Sequence, residues 1–204
     1  MIKLKELREK LSLSQLDCEK IFNIPVRTWQ NWEEKKRKTP QYVYDTLINK
    51  MEEYLSILDI AKDCEKILSI KCPKIKFIPK KEKSGVLAKV IVNNKIAKKI
   101  NFALDYENVY DAYFSICHEL RHVYQIKYDY QIFEKYVEKD TDISTESYNL
   151  QEAEIDANAF GSLYMQVNFG VKPLFLGYSD KVKGKIDKQI ENIISVIYTS
   201  EKKK

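Results

Sequence analysis

From Leu13 the chain carries apolar residues at helical spacing, passes through a short alternating region, and then returns to helical spacing. Apolar positions every three or four residues predict helices; strict alternation predicts strands. Leu13-Ser14-Gln15-Leu16 starts a helix running to Phe22, with Ser14 suited to cap it. Asn23-Ile24-Pro25 reads as a turn, and a second helix begins at Val26 with Pro25 near its start. Tyr42 to Leu55 reads as a third helix, and Ile60 to Leu68 as a fourth. A domain boundary is placed between them, at Ser56 to Asp59, dividing residues 1–57 from 58–200. Lys74–Pro79, Val86–Val92 and Ile96–Phe102 alternate as strands, the last two joined at Asn93-Asn94 in a hairpin signal. Val109 to Ile126 carries Phe114, Cys117, Leu120 and Tyr124 at helical spacing. Tyr128 to Tyr148 reads as an irregular lid or loop, Leu150 to Val167 as a helix. Asp180 opens a final helix with Ile186, Ile190, Ile193, Ile194 and Ile197 on one side, and the Lys202-Lys203-Lys204 tail is expected to be disordered. The expected class is α+β: a small all-α unit, then a unit whose short sheet packs on the later helices.

Chemistry concentrates in one helix. The chain has two histidines, and they stand four apart in His118-Glu119-Leu120-Arg121-His122. Positions i and i+4 share a helix face, so both imidazoles can reach one zinc ion. Glu119 lies beside that face, placed to act as a general base without being a ligand. The bland reading is a pair of ordinary histidines on an amphipathic helix. A catalytic zinc site takes three protein ligands. The cysteines show no C-x-x-C spacing, which leaves a carboxylate on a second helix: Glu154, Glu152 or Asp156. The commoner fate of such acids is a solvated helix face.

These residues resemble the ImmA/IrrE-type zinc metallopeptidases. The match rests on H-E-x-x-H at His118–His122 and on Glu154-x-x-Ala157-Asn158-x-Phe160, and covers about residues 58–175. The resemblance implies a zincin-like domain, places the third ligand at Glu154, and implies a protein substrate, a repressor-like or helix-turn-helix regulator. Gly161 stands where the family usually has Ala, Arg121 where Gly is common, and Leu163-Tyr164-Met165-Gln166 replaces a usual Leu-Leu-x-Pro ending.

The first fifty residues resemble a second family, the XRE-type helix-turn-helix domains. Leu13-Ser14-Gln15, Val26, Thr28 and Trp32-Glu33 carry that match, with Cys18 and Trp29 in place of the usual Ala and Ile. By its geometry the second helix would enter the DNA major groove. Arg27, Thr28, Gln30 and Asn31 would then face bases or phosphates, Gln15 the backbone or bases, and Lys35, Lys36, Arg37 and Lys38 the phosphates. Trp29 and Trp32 read as core. Reading two half-sites would favour a homodimer. Residues 1–56 hold eleven basic and nine acidic side chains, a weaker positive footprint than nucleic-acid binders usually carry.

The remaining features set the context. The chain has 204 residues and a net charge of +5, distributed unevenly. Residues 71–99 carry ten lysines and one acid, Glu82; residues 105–156 carry thirteen acids and four basic groups. Two solvated faces that attract each other would explain this, as would a basic region docking an acidic peptide or nucleic acid. No apolar run is long enough for a transmembrane helix, the start has no signal-peptide core, and Cys18, Cys64, Cys72 and Cys117 suit a reducing cytoplasm. The expected activity is zinc-assisted peptide hydrolysis, with Tyr124, Tyr148 and Tyr164 as candidate oxyanion donors, and the family resemblance implies a phage or mobile-element setting. The competing reading is a non-catalytic DNA-binding regulator, a repressor or antitoxin, whose zincin fold serves as a sensor or partner-binding module.

Overall fold

The computed structural model describes residues 2–81, 85–137 and 143–201. Four helices come first: α1 (Ile2–Lys10), α2 (Gln15–Phe22), α3 (Val26–Glu33) and α4 (Gln41–Ile67). Leu4, Leu7 and Leu11 bury one face of α1 and its exit. At the start of α2, Ser14 Oγ accepts the Asp17 N–H while the Asp17 carboxylate accepts the Ser14 N–H, a reciprocal capping box. Asn23, left-handed at φ 53°, ends α2, and Pro25 caps α3. Trp29 and Trp32 are buried in this bundle. Arg8 binds Glu33 through two hydrogen bonds of 2.7 and 2.9 Å, and Gln15 Nε2 donates to the same carboxylate at 2.9 Å.

Two helices separated at Ser56–Asp59 were expected; instead α4 runs unbroken for 27 residues through that point. Leu47, Met51, Tyr54, Ile57, Ala61 and Cys64 lie on its buried face and are spaced as one helix requires. The same hydrophobic core takes in residues of α1, α3 and α4, the sheet and the later helices. The division after residue 57 therefore falls inside a helix and inside a shared core.

The sheet has three strands, β1 (Lys74–Ile78), β2 (Ala88–Asn93) and β3 (Ile96–Ala103), in the order β1-β3-β2. β1 runs parallel to the central β3, and β2 pairs with β3 antiparallel. Asn94 and Lys95, with φ of 50° and 60°, make the two-residue hairpin turn between Asn93 and Ile96. β2 is an edge strand and packs beside α5 (Val109–Tyr128).

Asn108 caps α5 by accepting the Tyr110 N–H. The buried stripe of α5 runs through Ile116, Cys117, Leu120 and Val123; Phe114 and Tyr124, expected within it, are half-buried at its edges. The segment expected to be irregular holds two one-turn helices, α6 (Tyr130–Glu134) and α7 (Thr145–Asn149). α8 (Glu152–Phe169) packs against α5 and ends at left-handed Gly170. Its small residues Ala153, Ala157 and Gly161 are buried, which permits close approach of the two helices. α9 (Asp180–Glu201) covers α8 through a smaller cluster of Ile155, Ala159, Val182 and Ile186. Residues 138–142, inside the lid segment, and the lysine tail at 202–204 lie outside the described residues, as does the side chain of Ile197. Among the described residues, no helix is long and apolar enough to cross a membrane.

Candidate metal centre

One turn of α5 and the first turn of α8 meet at three side chains. His118 and His122 bring their Nε2 atoms to 3.0 Å from each other. Glu154 places Oε2 3.4 Å from His118 Nε2 and Oε1 3.3 Å from His122 Nε2. Ligands held at ~2.0–2.1 Å around a tetrahedral zinc lie about 3.3–3.4 Å apart, so the His–Glu separations match the edges of such a tetrahedron. His122 and Glu154 are buried and His118 is half-buried. Of the three acids that the sequence left open, Glu154 joins the histidines. Glu152 is exposed, and Asp156 is buried but paired with Arg121.

Each imidazole is held from behind by an amide. His118 Nδ1 lies 3.0 Å from Asn158 Oδ1, and His122 Nδ1 lies 2.8 Å from Gln125 Oε1. An amide oxygen only accepts, so both Nδ1 atoms carry hydrogen and both Nε2 atoms turn toward Glu154. Electron-rich atoms converging in this way need a positive charge among them. Burial pulls the His122 imidazole down, but the Glu154 carboxylate outweighs it and pushes His122 up to about 9. Burial likewise raises Glu154, yet the two imidazoles hold its carboxyl well below the usual range. A divalent cation satisfies all three groups at once. The residues therefore fit a metal ion.

Glu119 sits beside this cluster, almost fully buried. Its Oε2 accepts the backbone N–H of Val90 at 2.6 Å. β2 turns that N–H away from β3, since Leu87, Lys89 and Ile91 occupy the rungs of the ladder. Burial lifts the Glu119 carboxyl above its ordinary value, against the pull of His122 and His118 and with a further rise from Glu154. A carboxylate raised in this way is better suited to take up a proton.

The cluster opens into a cavity of about 480 Å³ walled by Val86, Leu87, Phe114, Phe133, Tyr136 and Tyr178. Tyr148 also lines it, and its hydroxyl donates to Glu154 Oε1 at 2.6 Å. The Tyr136 hydroxyl stands 2.8 Å from that of Tyr148. With the Tyr148 hydrogen directed at Glu154, Tyr136 is the donor in this second bond. Tyr124 and Tyr164 lie elsewhere: Tyr124 stacks under the Arg121 guanidinium, and Tyr164 donates to Asp63 at 2.9 Å. Burial pushes the Cys117 thiol up, and it faces Cys64 across 3.5 Å, so it packs in the core rather than joining the centre.

The sequence reading gave no role to Tyr136 or Gln125. Gln125 stands three residues after His122 on the same helix, a spacing that could have pointed to it; Tyr136 meets the site only through contacts made in the folded state.

Of the residues expected to meet DNA, Arg27, Lys35 and Lys36 are exposed, and Thr28, Gln30 and Asn31 are half-buried on α3. Gln15 is tied to Glu33, and Lys36 is 2.5 Å from Glu34. No family model, curated protein or solved structure matches the chain.

Proposed function

We propose that this protein is a zinc-dependent endopeptidase carrying a DNA-binding helix-turn-helix unit. By the resemblance stated above, its substrate is a repressor-like regulatory protein. The observation that carries the reading is the convergence of His118 Nε2, His122 Nε2 and Glu154 on one point, with Glu119 alongside. Zinc is the metal assigned, because two imidazoles and one carboxylate are the donor set of catalytic zinc sites.

His118, His122 and Glu154 would hold the ion. When bound, zinc supplies Lewis acidity and eases deprotonation of water near neutral pH. Glu119 takes a proton from the attacking water and delivers it to the leaving amine. Its anchorage on Val90 fixes the carboxylate beside the edge strand where the cavity opens. The Tyr148 hydroxyl, whose hydrogen rests on Glu154 Oε1, is the donor that would turn to the charge developing on the scissile carbonyl oxygen.

The helix-turn-helix assignment rests on α2, the Asn23–Pro25 turn and α3, with Arg27 and the lysines after α3 exposed. On this reading double-stranded DNA is the second partner, bound as a homodimer, and the protein works in the cytoplasm. One observation favours the alternative of a non-catalytic regulator: Glu119 already has a structural task in holding Val90.

Glu119→Gln separates the two readings. The amide oxygen of the substituted side chain can still accept the Val90 N–H, while the base is lost. The peptidase reading expects full zinc content and no cleavage of a helix-turn-helix substrate protein. A variant that cleaves as well as the parent sinks it.

A further inference from the structure

Asp156 stands outside the cluster of His118, His122 and Glu154, yet four hydrogen bonds converge on its buried carboxylate. Arg121 donates through Nε to Oδ2 at 2.7 Å and through Nη2 to Oδ1 at 3.0 Å. Gln125 Nε2 donates to Oδ2 at 2.8 Å, and Gln189 Nε2, from α9, donates to Oδ1 at 2.9 Å. The Arg121 guanidinium is further held over the rings of Tyr124 and Phe160, at 4.3 and 5.7 Å from their centroids.

The consequence runs through Gln125. Its side-chain amide is fully buried and could in principle face His122 with either end. Both hydrogens of its NH₂ group are engaged, one by the Ala153 carbonyl at 3.0 Å and the other by Asp156. Neither acceptor can donate a hydrogen, so the amide cannot turn over without placing oxygen against oxygen. Oε1 is thereby fixed toward His122 Nδ1, where it only accepts. The Nδ1 atom must carry the hydrogen, and Nε2 is the nitrogen left to bind a cation. A neutral imidazole free to choose its tautomer would spend part of its time with Nε2 blocked.

We propose that Asp156 and Gln125, backed by Arg121 and Gln189, are positioning residues that lock His122 in the metal-binding tautomer and orientation. This deepens the metallopeptidase reading and rests on it. It also explains Arg121, the residue that departs from the small one usual before the second histidine. The guanidinium is what lets a carboxylate be buried at this point, and α9 contributes the last donor. The seating of the C-terminal helix and the affinity of the centre for metal are thereby joined through one carboxylate.

The test measures zinc affinity of the full chain by competition with a chromophoric chelator, together with the visible spectrum of the cobalt(II)-loaded protein. Gln125→Met keeps the length of the side chain and removes the amide; zinc affinity should fall about 10–100-fold, the range for loss of an outer partner of a ligating histidine. The cobalt bands should shift, which a defect of packing remote from the metal would not produce. Gln189→Met, at a half-buried position on α9, removes one donor without entering the core and guards against a Gln125 variant that does not fold. It should weaken zinc in the same direction by a smaller factor. A parent that binds zinc alongside a folded Gln125→Met protein of equal affinity and unchanged cobalt spectrum overturns the inference alone; so does a Gln189→Met protein indistinguishable from the parent, if Gln125→Met does not fold. A parent that takes up no zinc overturns the metal reading itself and the inference with it.

Discussion

Gly161 on α8 lies directly under the ring of Phe114 on α5: a Cβ built there would stand 2.9 Å from Phe114 Cε2 and 3.1 Å from Cδ2. The ring in turn packs against His118 and Phe175, with centroid separations of 6.0 and 5.7 Å. Gly161→Ala therefore forces Phe114 to shift, and its ring is one of the groups packed on His118. The expected cost is about 1–3 kcal/mol, the range for overpacking a close helix contact, read as a lowered unfolding midpoint in urea. A stability equal to the parent's would mean that the ring moves aside freely. Alanine is the usual residue at this point of the resembling pattern, so the bulk of Phe114 explains why glycine stands here.

Arg121→Ala should be among the most damaging single changes outside the cluster of His118, His122 and Glu154. It leaves the buried Asp156 carboxylate without its cation and removes the stacking on Tyr124 and Phe160. Breaking a buried pair from one side costs about 3–5 kcal/mol, and chemical denaturation measures it. A loss under about 1 kcal/mol, the worth of an exposed pair, would show that water reaches Asp156 readily.

The same carboxylate gives a dependence on pH. Burial alone would raise Asp156, but Arg121 and the two glutamine donors outweigh it and hold it below its ordinary value of 3.8. A group depressed in the folded state stabilises above its unfolded pKa, and that contribution disappears as pH falls through the folded pKa. The parent should thus outlast Asp156→Asn at neutral pH, with the gap between their melting temperatures closing below about pH 4. Melts in the presence of chelator, from about pH 7 downward, would show this; a gap that stays constant into acid contradicts it.

Tyr148→Phe removes the hydroxyl that donates to Glu154. If that hydroxyl serves the developing oxyanion, turnover should drop about 10²–10³-fold, the usual loss of such a donor, while zinc content and KM stay near those of the parent. Equal turnover would remove Tyr148 from the mechanism. A large loss of zinc would reassign it to holding the ligand.

Arg27→Ala with Gln30→Ala should weaken a salt-sensitive gel shift on duplex DNA and reduce its slope against log salt. The exposure of Arg27 on α3 motivates the choice. A parent that shifts no DNA at any salt concentration removes the nucleic-acid partner.

The contrast between what the sequence disclosed and what it hid is physical. His118 and His122 were legible because helix periodicity alone places them on one face. Glu154 could be narrowed to a set of three but not singled out by spacing, since the choice depends on how α8 meets α5. The helix α1 went unread although Leu4, Leu7 and Leu11 repeat at helical spacing, because the charged residues between them dominate the segment. The break expected within α4 has no basis in its packing, for the apolar face continues through Ile57, Ala61 and Cys64. Asp156 was legible only as an acid near the motif. Its partners come from α5 and α9, and no local pattern encodes that meeting.

The length of α4 has a mechanical consequence. At about 1.5 Å per residue its 27 residues form a rod of about 40 Å. α1 packs against it, with Lys3 2.6 Å from Glu52, and further along the rod α5 lies against it, with Cys117 3.5 Å from Cys64. The helix is unbroken between the two, so α1 and the helix that bears both histidines rest on one continuous element. Severing the rod near residue 57 would strip an oily stripe on each fragment, and the halves would be expected to cling to each other or precipitate rather than live apart.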